Sequence, residues 1–228
     1  MIEERYKRNI GTITEEENEM LTAKRVCVVG CGGLGGYVIE SLGRIGVGYI
    51  RAIDFDVFEP SNLNRQITSE VPLLGTSKAQ AAKARMERIN PTITVEAIEQ
   101  KLTSENAKEL LSGVDVAIDA LDSLPPRLLL QQTCEELGIP LVHGAIGGWY
   151  GRVTVIMPGD RTLEKICRPD ALKGAETRMG TPSFTPAVVG SIEACEVVKL
   201  LLGRGRTLRG RVLNIDLLNE EFFVLKLK

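Results

Sequence analysis

The six residues Gly30-Cys31-Gly32-Gly33-Leu34-Gly35 follow the apolar run Val26-Cys27-Val28-Val29 and lead into a helical pattern. Few local sequences restrict a fold so tightly. Gly30 permits the tight turn, Gly32 lets backbone approach an anionic group, and Gly35 lets the following helix pack close to the strand it leaves. Gly33 belongs to the same cradle, and the helix amino terminus behind it faces anionic oxygen. A second apolar run, Tyr49 to Asp54, ends in an acidic residue 19 positions after Gly35. There a carboxylate reaches the ribose hydroxyls of a nucleotide docked on the turn. Strand, turn, helix and spacing together favour nucleotide binding over a purely structural turn.

The residues after the turn predict an α/β fold. Strand-like runs recur at Arg25 to Val29, Tyr49 to Asp54, Ile93 to Ile98, Val114 to Asp119 and Pro140 to His143, separated by helical patterns such as Ser77 to Ile89. Because βαβ crossovers are right-handed, this alternation predicts a Rossmann-like, doubly wound, mainly parallel sheet with ligand at the carboxyl ends of its strands. Thr14-Glu15-Glu16-Glu17 has capping-box spacing, which predicts a helix over Thr14 to Ala23 within an amino-terminal arm, residues 1–24. After residue 145 the rhythm changes. Trp149 to Met157 reads as a strand, Val188 to Leu202 as a helix, and Arg211 to Asp216 with Glu221 to Lys226 as a closing hairpin, so the tail of the sheet is expected to be antiparallel. Residues 159–186 lack clear periodicity and read as a crossover or lid loop, a length that is uncommon without a function.

No linker-like tract divides the 228 residues, so one domain over 1–228 is expected. A balance of 28 basic against 30 acidic residues offers no global attraction to nucleic acid or to an anionic membrane. No run approaches the ~18 apolar residues of a membrane span, and Met1-Ile2-Glu3-Glu4-Arg5 has no signal-peptide stretch, so a cytoplasmic location is expected. Five scattered cysteines, Cys27, Cys31, Cys134, Cys167 and Cys195, form neither a disulfide framework nor a CxxC pair, which argues against structural zinc.

Beyond the turn the chain carries more phosphate-directed chemistry than a redox dinucleotide site needs. Asn62, Arg65 and Lys78 fall within 24 residues of Asp54. Arg is suited to bidentate phosphate recognition, and Lys78, at a helix start, supplies a compact charge. Spacing alone does not separate these two from solvated cations. Asp56 can serve a metal or a neighbouring cation, or be a solvated turn carboxylate. Asp122, just past the end of the fourth strand run, can hold magnesium against phosphates, or cap the helix that begins at Leu124-Pro125-Pro126. Ser123 can take the capping role instead. The one histidine, His143, sits at an apolar strand end and reads as a packed structural residue.

Six ordered motifs accompany these residues: Arg5-Tyr6-Lys7-Arg8, the Gly30 to Gly35 turn, Asp54-Phe55-Asp56, Ser61 to Gln66, Gly75-Thr76-Ser77-Lys78, and Asp119 to Ser123 with Arg127. Their order and intervals resemble the ThiF/MoeB/HesA family, relatives of ubiquitin-activating enzymes that adenylate the carboxyl terminus of a small ubiquitin-like sulfur carrier. The resemblance implies ATP and Mg2+ rather than NAD. It makes Asp54 the ribose ligand, places Asn62, Arg65, Gln66 and Lys78 about the triphosphate, and gives magnesium to Asp122. It also implies a homodimer in which Arg8 reaches a γ-phosphate across the interface, and a carrier partner ending in Gly-Gly, for thiamine or molybdopterin-type sulfur transfer. Some family members carry zinc-binding CxxC pairs that this chain lacks, so magnesium is the one metal expected. Cys167, the one cysteine of the crossover loop, is flanked by Lys165 and Arg168, which would favour a thiolate able to take a covalent role. Three competing readings are a tRNA-base dehydratase of the same superfamily, an NAD-dependent oxidoreductase and a non-catalytic scaffold. The first would want a positive face, the second leaves Asn62, Arg65, Lys78 and Asp122 idle, and the third does not explain why they are retained together.

Overall fold

The computed structural model describes residues 2–167 and 179–227. A 3-10 turn over Glu4–Asn9 leads into α1 (Glu15–Thr22), whose capping box is formed as its sequence predicts: Thr14 Oγ1 accepts from Glu17 N, and Glu17 Oε2 accepts from Thr14 N. There follow β1 (Arg25–Val29), α2 (Gly33–Ile45), β2 (Tyr49–Ile53), α3 (Lys78–Ile89), β3 (Thr94–Ile98), α4 (Ala107–Leu111), β4 (Val116–Asp119) and α5 (Leu124–Leu137). The chain then runs through β5 (Leu141–Gly147), β6 (Tyr150–Ile156), α6 (Thr162–Ile166), α7 (Phe184–Leu202), β7 (Arg211–Asp216) and β8 (Glu221–Lys226).

The eight strands among the described residues lie in one sheet, ordered β3-β2-β1-β4-β5-β6-β7-β8. The first five pair in parallel and the last three antiparallel. From β1 the chain steps outward to β2 and β3, then returns to place β4 on the other side of β1. That reversal opens a crevice above the carboxyl ends of β1 and β4, where ligands bind in folds of this kind.

Strand periodicity divides the core. Val26 and Val28 of β1 face α2, α3 and α7, while Cys27 and Val29 face α4, α5 and α6. Residues 26–29 are buried on both sides, as a parallel sheet between two helical layers requires. Three stretches differ from their sequence signals. Residues 159–186 contain α6 and the first turn of α7, and part of the interval, 168–178, lies outside the described residues. Helix α7 starts four residues before Val188 because Pro186 falls within its first turn, where a missing N–H leaves no hydrogen bond unmade. Strand β5 runs past His143 to Gly147, since β6 pairs with it through the Gly147↔Tyr150 register.

Candidate active site

The glycine turn closes over the crevice with no room for side chains at its two ends. Gly30 has φ +99°, and a Cβ there would lie 2.5 Å from the Ala120 carbonyl oxygen; one on Gly35 would lie 1.8 Å from the Gly30 carbonyl oxygen. Gly32 is the N-cap of α2 and no side chain caps it. The first-turn N–H groups, which have no partner within the helix, and the positive end of the helix dipole therefore favour an anion.

Asp54 ties this turn to the end of β2. Its Oδ2 accepts from Cys31 N at 2.7 Å and its Oδ1 from Asp56 N at 2.8 Å. Burial nonetheless pushes its carboxyl above the usual range, against both bonds and the nearby Lys78 charge. Each carboxylate oxygen retains a lone pair for a further donor, as a ribose contact requires. Burial also holds the Cys31 thiol far above the usual range, as a packed side chain within the turn.

Lys78 begins α3 and is buried, with Nζ 3.0 Å from Asp56 Oδ2. Asp56 is thus the partner of a neighbouring cation, the second of the roles left open for it. The Arg65 stem approaches the turn, since a Cβ on Gly33 would lie 3.9 Å from Arg65 Cγ. Its guanidinium is folded onto its own loop, donating to Ser61 O at 2.8 Å and Asn64 Oδ1 at 3.0 Å. Asn62 is buried and accepts from Glu59 N through Oδ1, so its carbonyl shapes the loop and its amide N–H groups are what it can offer a ligand. Gln66 lies behind Gly32, its Nε2 3.5 Å from where a Cβ would stand, and its buried Oε1 has no partner among the described residues. An unpaired amide beneath a glycine turn fits a site that receives a polar ligand.

Asp122 is exposed, two residues beyond the Ala120 carbonyl that meets Gly30. Ser123 occupies the N-cap position of α5 but its side chain makes no capping bond, so the expected division of labour with Asp122 is not realised. Among the described residues no three His, Cys, Asp or Glu side chains gather to hold a metal. A lone carboxylate at this place fits magnesium, which typically takes one or two carboxylates and completes its shell with phosphates and water.

Two expected residues lie apart. Arg8 is exposed in the 3-10 turn, which is seated at the opposite end of the sheet: the Tyr6 ring lies against Gly46, just past α2, and Asn90 Nδ2 donates to Tyr6 Oη at 2.8 Å. The 13 residues of α2 separate that seat from the glycine turn by about 18 Å. Cys167 ends α6 on the α5 side of the sheet. Burial raises its thiol pKa against the opposing charges of Arg127 and Arg152. Arg168 lies outside the described residues.

His143 is buried, as expected, but it is also hydrogen-bonded: its Nδ1 lies 2.7 Å from Asp119 Oδ2. Glu193, in the middle of α7, was not singled out by the sequence. Its carboxyl is fully buried against Gly144 with neither oxygen paired among the described residues, and burial pushes it well above the ordinary range. The sequence signal for it is an acidic residue inside the apolar pattern Val188 to Leu202.

The chain belongs to the ThiF family, which it matches over residues 6–228. It is 38% identical over 225 residues to the SAMP-activating enzyme E1 of Haloferax volcanii, covering 96% of this chain and 83% of that one. It is 37% identical over 230 residues to the sulfur carrier protein adenylyltransferase of Thermus thermophilus, covering 96% and 85%. Among solved structures, E. coli MccB with ATP superposes with a TM-score of 0.84 at 19% identity, over 100% of this chain and 72% of that one, a likeness of fold.

Proposed function

We propose that this chain is an ATP-dependent adenylyltransferase that activates the carboxyl terminus of a ubiquitin-like sulfur carrier ending in Gly-Gly. The observation that carries the reading is the convergence of Asp54, Lys78, the stem of Arg65 and the uncapped start of α2 on one glycine turn, in a ThiF family chain whose relatives are named for this activity. The nucleophile is a carboxylate, so no general base is needed. A carrier oxygen attacks the α-phosphorus, the bond to the bridging oxygen breaks, and pyrophosphate leaves as the acyl-adenylate forms. Asp54 holds the ribose. Lys78 and Arg65 face the charge that spreads over the phosphoryl oxygens, with Asn62 and Gln66 supplying neutral donors. Magnesium, held by Asp122, would neutralise phosphate charge.

Arg8 cannot serve its own turn from the far end of α2, so it acts on the site of a second copy, and the working unit is a homodimer. The carrier docks on apolar surface. Phe222, Phe223, Val224 and Leu225 of β8 are exposed, as are Trp149 and Phe184, whose rings lie 4.6 Å apart at a 38° tilt. Successive residues of β8 face opposite sides of the sheet, so apolar side chains stand uncovered on both faces of this edge strand, which fits a protein partner. No described helix is long and apolar enough to cross a membrane, and the enzyme works in the cytoplasm as one adenylation domain. Adenylation assigns no step to Cys167; a covalent role would require displacement of its thiol proton on carrier binding.

ATP–pyrophosphate exchange tests the reading. Exchange is expected to require magnesium and a carrier ending in Gly-Gly, and to be lost when the last glycine is removed. Exchange that is independent of any carrier, or ATP hydrolysis stimulated by tRNA instead, would overturn it.

A further inference from the structure

Leu121, the residue just before Asp122, is held through both its N–H and its carbonyl. Leu121 N donates to Asp119 Oδ1 at 3.1 Å, and the Leu121 carbonyl accepts from Arg127 Nε at 3.0 Å and from Arg127 Nη2. Asp119 is the last residue of β4 and Arg127 lies one turn into α5, so the grip spans the linker that carries Asp122. The other Asp119 oxygen, Oδ2, is 2.7 Å from His143 Nδ1 on β5 and 3.9 Å from Arg127 Nε. Asp119, Arg127 and His143 are all buried.

Burial keeps the His143 imidazole neutral against the pull of Asp119. A neutral ring beside a carboxylate carries its proton on the nitrogen that faces it, so Nδ1 donates to Asp119 and Nε2 is a bare acceptor. Nε2 has no partner among the described residues, and an unpaired acceptor is easier to bury than an unpaired donor.

We propose that His143 is a positioning residue for adenylation: by donating from Nδ1 it holds Asp119 in the one rotamer that fixes the Leu121 peptide and therefore the place of Asp122. The proposal rests on the reading of Asp122 as the residue that holds magnesium. Competition explains the need for the imidazole. Arg127 stands 3.9 Å from the same Asp119 oxygen. Without the His143 donor, that oxygen is left to the guanidinium, which would swing off the Leu121 carbonyl to pair with it. The linker would then lose one of its two anchors. Partners that orient a metal-binding group typically change metal affinity by about 10- to 100-fold when removed.

Two variants separate donation from packing. The amide nitrogen of His143→Asn falls near the position of Nδ1 and can still donate, whereas His143→Val removes the donor. Binding of Mn2+ to the full-length protein with a non-hydrolysable ATP analogue, followed by electron paramagnetic resonance, is the primary measurement. His143→Val is expected to bind Mn2+ about 10- to 100-fold more weakly, with His143→Asn recovering most of that loss. Unchanged affinity in His143→Val, or an equal loss in His143→Asn, overturns the proposal. Asp122→Ala isolates the underlying reading: unchanged Mn2+ affinity there removes Asp122 as the ligand and the His143 proposal with it. Weakening in Asp122→Ala alone removes only the proposal. Should the valine variant not fold, 15N-edited spectra of the wild-type imidazole decide, since a proton on Nδ1 supports the proposal and a proton on Nε2 overturns it.

Discussion

The two halves of the sheet solve different problems. From β3 to β5 the strands are parallel and sit between helical layers, and β1 is buried on both faces. That burial holds the turn, Asp54 and the Asp119 cluster in place. At the far edge every residue of β8 is exposed, including four consecutive apolar ones. One half spends its apolar surface on itself and, on the proposed reading, holds a nucleotide with backbone and a few buried charges. The other keeps apolar surface in water, a cost tolerated where a partner will cover it. On the proposed reading the fold divides nucleotide and protein recognition between its parallel and antiparallel parts.

The largest effects are expected at the carboxyl ends of β1, β2 and β4. Lys78→Ala and Asp122→Ala are each expected to lower ATP–pyrophosphate exchange by about 10²- to 10³-fold or more while leaving the melting temperature near that of the wild type. Full activity in both would refute the placement of the site. Equal mixing of Arg8→Ala and Lys78→Ala chains is expected to return about a quarter of wild-type activity, because half the dimers are mixed and each has one whole site. No recovery in verified mixed dimers would argue against sharing. At the antiparallel end, Phe223→Glu should raise the carrier KM by about tenfold, near 1.4 kcal/mol, and leave the ATP KM unchanged. A parallel rise in both constants would erase the division of labour.

The smallest effect concerns Glu193. Its folded-state pKa is raised, so the stability it contributes is complete below the ordinary carboxylate value of 4.5 and is lost as pH rises toward its folded value. Glu193→Gln keeps the size and removes the ionisation. Its melting temperature should therefore fall less than that of the wild type between pH 5 and 8, by a few degrees in calorimetry. Identical slopes would show that Glu193 does not contribute to this pH dependence.

Most of the parallel half was legible because its strands are short apolar runs closed by glycine, acidic or polar residues, and because β1 leads straight into the glycine turn. Asp54 and Lys78 could be placed for the same reason, each standing at the end or start of a regular element. What stayed hidden depended on neighbours remote in sequence. Asp119 meets His143 only because β4 lies beside β5, and Asp56 meets Lys78 only because the chain folds back before α3. Helix α6, with five residues, is too short to show a period. At Cys167 burial opposes the charges of Arg127 and Arg152, both remote in sequence.

Helix α2 carries the glycine turn at one end and the seat of Tyr6 at the other. On the proposed reading it acts as a spacer that keeps each chain's arginine out of its own active site. Specific activity would then depend on concentration: dilution below the dimer dissociation constant should silence every site together, without unfolding a single chain.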